Sequence, residues 1–311
     1  MNRRWLLAVL AFASLSRAEC ASHEPAWVPP VVPRPLASAP VVARPAPAVS
    51  TVAPSPAAST VVQAEPPPVA PEPVTEAEAE AEAAPRCADA PALLPDGSVP
   101  HAPPHAPLGE DVEIPGDRAA YVLPGRPEDP RVIVYLHGMC GDVTAADYFR
   151  EAVRAHGTLI ALRGDTACRN GRFKWRDDAS KIQARIQTAF KRVSELRGGH
   201  LTLEGALLFG YSQGAERAER VAQRFPQQYP RVVLGGPPTK ASPIKLARAQ
   251  RVAILGGELE TTDNMHAGFD ALVAAGIAAR FFTLECAHHG YFGARPESQL
   301  GEVLDWVSAG E

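Results

Sequence analysis

One stretch constrains the fold of this chain more than any other: Gly205-Ala-Leu-Leu-Phe-Gly-Tyr-Ser-Gln-Gly-Ala215. The apolar run Ala206 to Phe209 has the length of a buried strand, and it stops abruptly at Gly210-Tyr211-Ser212-Gln213-Gly214. An amphipathic segment opens at Ala215. A serine at the tip of such a strand–turn–helix unit must adopt a strained backbone, so its flanks need residues without side chains where strand and helix meet. The helix beyond the turn aims N–H groups and its positive dipole end at the serine oxygen. Such a unit requires a sheet around the strand and helices to cover it.

The rest of the C-terminal region reads accordingly. Asp111 to Ile114 and Ala119 to Leu123 form a short antiparallel pair around the Pro115-Gly116-Asp117 turn. Arg131 to Leu136 is a continuous apolar run suited to a central parallel strand. A helix over Ala145 to Ala155, a strand over Thr158 to Leu162 and a helix over Asp178 to Leu196 follow, the last with Ile182, Ile186, Phe190 and Val193 on one face. Beyond the serine turn come a helix over Gly214 to Phe225, strands over Arg231 to Leu234 and Arg251 to Leu255, and a helix over Asn264 to Ala275. A strand over Ala279 to Leu284 and a helix over Glu297 to Val307 close the chain. This alternation predicts an α/β domain over residues 108–311, its mostly parallel sheet covered by helices on both faces.

The first third of the chain has a different composition. Of the 32 prolines, 22 precede residue 108. Residues 19–107 are therefore expected to be a disordered Pro/Ala-rich linker favouring extended polyproline II conformations. Within it, Thr75 to Ala84 alternates Glu and Ala without an apolar stripe to bury. Residues 1–18 carry the pattern of a secretory signal: Arg3 and Arg4, the apolar run Trp5 to Leu15, then the small-x-small Ser16-Arg17-Ala18. The run is too short for a stable membrane span. The expectation is an exported protein, periplasmic, secreted or held at the cell envelope through its linker, with Cys20 a weak candidate for lipid anchoring.

Export implies an oxidising compartment, so the five cysteines invite a disulfide reading. Cys140 and Cys168 both follow expected strands at one edge of the sheet and are the expected pair. The absence of any C-x-x-C spacing argues against a zinc site. A net charge of −4 gives no reason to expect nucleic acid as a partner.

A serine hydroxyl becomes an effective nucleophile when a histidine removes its proton, and that histidine needs a carboxylate to hold its tautomer. Cys286-Ala-His-His-Gly-Tyr291 follows the last strand, and His289, directly before Gly290, is preferred to His288 as the base. The acid should lie between serine and histidine in the chain. Gly256-Gly-Glu-Leu-Glu-Thr-Thr-Asp263 offers Glu258, Glu260 and Asp263. Glu260, three residues beyond Gly257, is preferred; Asp263 is the alternative acid, or else the N-cap of the helix that follows. The loop His137-Gly138-Met139-Cys140-Gly141 supplies one backbone donor for an oxyanion, Met139, and Gln213 supplies the other. His137 itself is expected to brace the loop. Phe173, Trp175 and Tyr211 are candidate substrate-pocket residues, with Trp175 alternatively a packed anchor.

The order His137-Gly138, Gly210-Tyr-Ser-Gln-Gly214, Glu260 or Asp263, and His289-Gly290 resembles the α/β-hydrolase superfamily, from about residue 119 onward. Within it the chain is similar to compact serine esterases of the carboxylesterase, phospholipase and dienelactone hydrolase type. The resemblance implies hydrolysis of a small-molecule carboxylic ester through an acyl-enzyme, with no metal or organic cofactor. The alternatives are a peptidase or amidase on the same residues, or an inactive envelope-tethered binding protein on a hydrolase fold.

Overall fold

The computed structural model describes residue 87, residues 109–169 and residues 171–310. The chain divides into two units, Met1–Pro68 and Val69–Glu311, and every described residue belongs to the second. The expected leader, Cys20 and all of the linker except Cys87 lie outside the described residues. Among the described residues, no helix is long and apolar enough to cross a membrane.

Eight strands make the main sheet: β1 (Glu110–Val112), β2 (Ala120–Leu123), β3 (Val132–Leu136), β4 (Thr158–Leu162), β7 (Leu207–Tyr211), β8 (Arg231–Gly235), β9 (Arg251–Gly257) and β10 (Ala279–Leu284). Their order is β1-β2-β4-β3-β7-β8-β9-β10. β2 runs antiparallel to both β1 and β4, and the other neighbours are parallel. A separate two-stranded hairpin, β5 (Thr166–Ala167) and β6 (Phe173–Lys174), stands beyond β4. The register pairs Leu136 with Gly210, Tyr211 with Gly235, and Leu284 with Gly257. The exits of the central strands thus line one edge of the sheet, where open parallel sheets bind ligands.

Side chains alternate along each strand, so the central strands feed two cores. Val132, Val134, Leu136 and Leu208 face α2 (Ala179–Leu196), α3 (Gln213–Arg224), the short α4 (Pro243–Leu246) and α5 (Asp263–Ala274). Ile133, Tyr135, Leu207 and Phe209 face a 3₁₀ segment (Val143–Phe149), α1 (Arg150–His156) and α6 (Pro296–Ser308). α2 starts where Asp178 accepts from the N–H groups of Ser180 and Lys181, which satisfies two donors of the first turn. It buries Ile182, Ile186 and Val193.

The expected helix over Ala145 to Ala155 is two pieces. Val143, Ala146 and Phe149, all buried, are spaced by three, and a 3₁₀ turn puts such residues on one face. Phe149, at φ −138°, ends that piece, and α1 begins after it. The hairpin and α4 are too short to show a period in the sequence and were not expected. The sheet order, the antiparallel second strand, the helices on both faces and the serine turn after β7 form the α/β-hydrolase architecture.

Gly214 shows how tightly α3 is seated on β3. A Cβ there would lie 1.9 Å from the Leu136 carbonyl oxygen and 2.7 Å from that of His137. Both are backbone atoms without freedom to give way. Helix propensity alone favours Gly→Ala by about 1 kcal/mol, whereas this contact makes Gly214→Ala destabilising by about 2 kcal/mol or more. Urea unfolding of the two proteins decides the sign.

Candidate active site

Ser212 links β7 to α3 with φ 52° and ψ −120°, a backbone conformation in which a side chain is strained. The glycines on either side make it reachable. A Cβ on Gly210 would lie 2.3 Å from the Gly214 oxygen, so strand and helix approach as closely as bare backbone permits. The Ser212 N–H donates to Gly235 O at 2.8 Å, and its carbonyl accepts from the Ala215 N–H at 2.9 Å. The hydroxyl therefore stands at the C-terminal edge of the sheet.

Two further strand exits supply its partners. His289 Nε2 lies 3.0 Å from Ser212 Oγ. Its Nδ1 lies 2.8 Å from Glu260 Oε2. A carboxylate accepts only, so Nδ1 carries the proton and Nε2 is free to accept from the serine. Glu260 is itself fixed: its other oxygen accepts from the Gly257 N–H at 2.7 Å, and its own N–H returns to Gly257 O at 3.2 Å. His289 rests above Gly236, where an added Cβ would lie 3.0 Å from the imidazole. Asp263 is exposed in the first turn of α5, and Glu260 meets the histidine in its place. Glu258 accepts from the Cys286 N–H at 3.0 Å and steadies the histidine loop from below.

The loop after β3 passes directly over the serine, since a Cβ on Gly138 would lie 3.1 Å from Ser212 Cβ. Met139 follows on this loop and is 62% exposed, and Gln213 is the first residue of α3. His137 is buried beneath. Its Nε2 accepts from the Gly164 N–H at 2.9 Å, which assigns the proton to Nδ1, and Nδ1 donates to Gly138 O at 2.6 Å. The disulfide Cys140–Cys168 joins this loop to the turn between β5 and β6.

Of the expected pocket residues, only Phe173 stays partly open. It lies beside Gly141, with the Arg118 guanidinium 4.6 Å from its ring centroid. Trp175 is 1% exposed and lines no pocket: its indole N–H donates to His137 O at 2.8 Å, which draws the ring into the core. Tyr211 is also buried. Its ring lies 5.4 Å from that of His289, and its phenol oxygen accepts from the Gly290 N–H at 2.6 Å, so it supports the histidine loop. Burial, and then the Glu260 charge, push its phenol well up, and it stays protonated.

A second disulfide, Cys87–Cys286, was not anticipated; it ties a residue 199 positions earlier to the histidine loop. The only signal for it in the sequence was Cys286 standing three residues before His289. Among the described residues, Cys87, Glu258 and Cys286 bring ligand-type atoms within 4.8 Å of one another. The two sulfurs are bonded to each other, which leaves a single carboxylate and no set of metal donors.

No family model and no curated protein matches the chain. Among solved structures, a carboxylesterase from Mesorhizobium loti is similar with a TM-score of 0.47 and 18% identity, over 65% of this chain and 99% of that one. Carboxylesterase CesB from Bacillus subtilis has a TM-score of 0.47 and 14% identity, over 67% and 94%. Esterase 2 of Thermogutta terrifontis, described as phosphoramylated by tabun, has 0.44 and 17%, over 66% and 96%. At such identities and scores the chemistry rests on this chain's own geometry.

Burial lowers the His137 imidazole from 6.5 to about 4, only partly offset by its bond to the Gly138 carbonyl. The unfolded chain takes up this proton near pH 6.5 and the folded one near pH 4, so the unfolded state binds more protons between these values. Stability contributed by neutral His137 is complete above pH 6.5, falls as the pH drops through the window, and levels off below it. Urea unfolding at pH 7 and pH 4.5 is expected to show a loss of about 2–3 kcal/mol in the wild type that is absent in His137→Gln, whose amide oxygen still accepts from Gly164. Equal losses in both proteins would contradict this account.

Proposed function

We propose that this α/β-hydrolase domain is a serine hydrolase that cleaves a small carboxylic ester by acyl transfer. The observation that carries the reading is the continuous chain from Ser212 Oγ through His289 (3.0 Å) to Glu260 (2.8 Å), built on a strained serine. Ser212 Oγ attacks the ester carbonyl carbon while His289 Nε2 takes the hydroxyl proton. Glu260 holds the tautomer and stabilises the imidazolium. The carbonyl electron pair moves onto oxygen, where the N–H groups of Met139 and Gln213 receive it. Collapse of this intermediate expels the alcohol oxygen, which takes the proton from His289 and leaves an acyl-serine. Water then repeats the sequence and restores Ser212.

The exposed Met139 side chain, on the loop that passes over the serine, offers apolar surface for an acyl or alkoxy group, and the partly open Phe173 bridges to Gly141 of the same loop. Export belongs to the same proposal: residues 1–18 act as the secretory signal, and residues 19–107 as a spacer that holds the domain at the cell envelope. Two disulfides support it, because such bonds persist in oxidising compartments.

The test is turnover of a short-chain nitrophenyl ester by the full chain beside two variants. Ser212→Ala is expected to fall to the rate of background hydrolysis. Glu260→Gln is expected to lose ~100-fold or more in kcat, since the amide no longer holds the productive tautomer. Full activity in Ser212→Ala would overturn the proposal. A nitroanilide cleaved with the higher kcat/KM would move the assignment to an amidase. A folded wild type without turnover of either would favour the binding-protein reading.

A further inference from the structure

Trp175 is the largest of the fully buried side chains among the described residues and takes no part in the chemistry above. It nevertheless bonds to both segments to which the oxyanion donors belong, to the backbone of one and to a side chain of the other. Its indole N–H donates to His137 O at 2.8 Å, the carbonyl of the peptide that leads into Gly138 and Met139. Its own peptide groups pair with a side chain on the opposite piece: the Trp175 N–H donates to Gln213 Oε1 at 2.9 Å, and Gln213 Nε2 donates to Trp175 O at 3.2 Å. One turn further along α3, Arg217 Nη2 donates to the same carbonyl at 3.0 Å. The residue is anchored from behind as well, with the Arg185 guanidinium 5.7 Å from its ring and the His137 ring at 5.2 Å.

Such a pattern is unusual for a residue that merely fills a core. A core tryptophan needs one acceptor for its N–H and apolar neighbours. Here the hydrogen bonds run to two separate elements, the β3 exit loop and the first residue of α3. Both approach within bare-backbone distance of each other, as the contact of Gly214 with the Leu136 and His137 carbonyls shows. The N–H groups of Met139 and Gln213 have no direct link of their own among these bonds; Trp175 bridges the segments that carry them. A pair of donors serves a developing oxyanion only when their spacing is set before the reaction begins.

We propose that Trp175, clamped by the side chain of Gln213, is a positioning residue that sets the spacing of the two oxyanion donors. The inference rests on the esterase reading above. Its consequence is confined to states in which the substrate oxygen bears negative charge. Ground-state ester binding, made largely through apolar contacts outside the donor pair, is left almost unchanged.

Two single substitutions in the full chain separate this role from simple packing. Trp175→Phe keeps a ring in the core and removes the donor to His137 O. Gln213→Leu removes the amide clamp and keeps the Gln213 backbone N–H. For each, kcat and KM are measured with a nitrophenyl ester, and the inhibition constant with a trifluoromethyl ketone, which adds to Ser212 Oγ and forms a stable oxyanion. The expected result is a ~10-fold or greater fall in kcat, a matching loss of ketone affinity, and KM held within about twofold. Unchanged kcat in both variants, or a lower kcat with ketone affinity retained, would overturn the inference. If Trp175→Phe does not fold, Gln213→Leu decides by the same criteria. A folded wild-type chain that neither hydrolyses the ester nor captures the ketone would remove the esterase reading, and this inference with it. An active wild type beside unaffected variants would remove the inference alone.

Discussion

The left-handed backbone of Ser212 is the constraint on which the rest of the structure depends. A side chain at φ 52° is strained by an amount on the order of 1–3 kcal/mol, so the surroundings must over-determine it. They do so from three sides. β7 is paired with β3 and β8, the Ser212 N–H is held by Gly235 O, and α3 is pressed onto the Leu136 and His137 carbonyls. The two buried faces of the sheet supply the energy that keeps this turn closed. Relaxing the turn would withdraw the hydroxyl from His289 and uncouple the first residue of α3 from the loop opposite.

Only two other non-glycine residues have positive φ, among those described: Cys140 at 51° and Cys286 at 53°. Both lie on the loops that meet the serine, and both are cross-linked, to Cys168 and Cys87 respectively. The strained positions thus belong to one functional region, each tied to a distant part of the chain. A cross-link limits how far a loop can open and reduces the freedom of the unfolded chain, which suits a site placed on loops. Glu258, Glu260 and Tyr211 complete the support of the histidine loop by accepting hydrogen bonds at Cys286, His289 and Gly290.

Much of this was legible in the sequence because the signals were local. The strand–turn–helix unit around Ser212, the apolar runs of β3, β4 and β10, and the single stripe of α2 each express one period over a continuous segment. The order of the candidate residues along the chain was equally readable, and Glu260 stands at the turn where its spacing from Gly257 puts it. What escaped was non-local or too short to repeat. The pairing of Cys87 with Cys286 spans most of the domain. Three-residue spacing in Val143, Ala146 and Phe149 looks helical in one dimension, and only packing against Phe209 and Phe292 reveals its tighter winding. Tyr211 reads as a pocket aromatic by position, and Trp175 as either a pocket aromatic or a packed anchor; each buries its ring and spends its polar atom on a backbone partner, so for Trp175 the anchor reading holds. An aromatic residue near a site has two ways to be useful, and hydrogen-bond partners from other elements decide between them.

Intact-protein mass spectrometry after exposure to a fluorophosphonate, with the modified peptide sequenced, tests the central claim most directly. A serine whose proton is removed by an aligned base attacks the phosphorus and displaces fluoride, while the developing charge on the phosphoryl oxygen is held by the oxyanion donors. The account predicts one adduct per chain, located on Ser212, and none in Ser212→Ala or after unfolding. A folded protein that takes no adduct, or takes it on another residue, would contradict it.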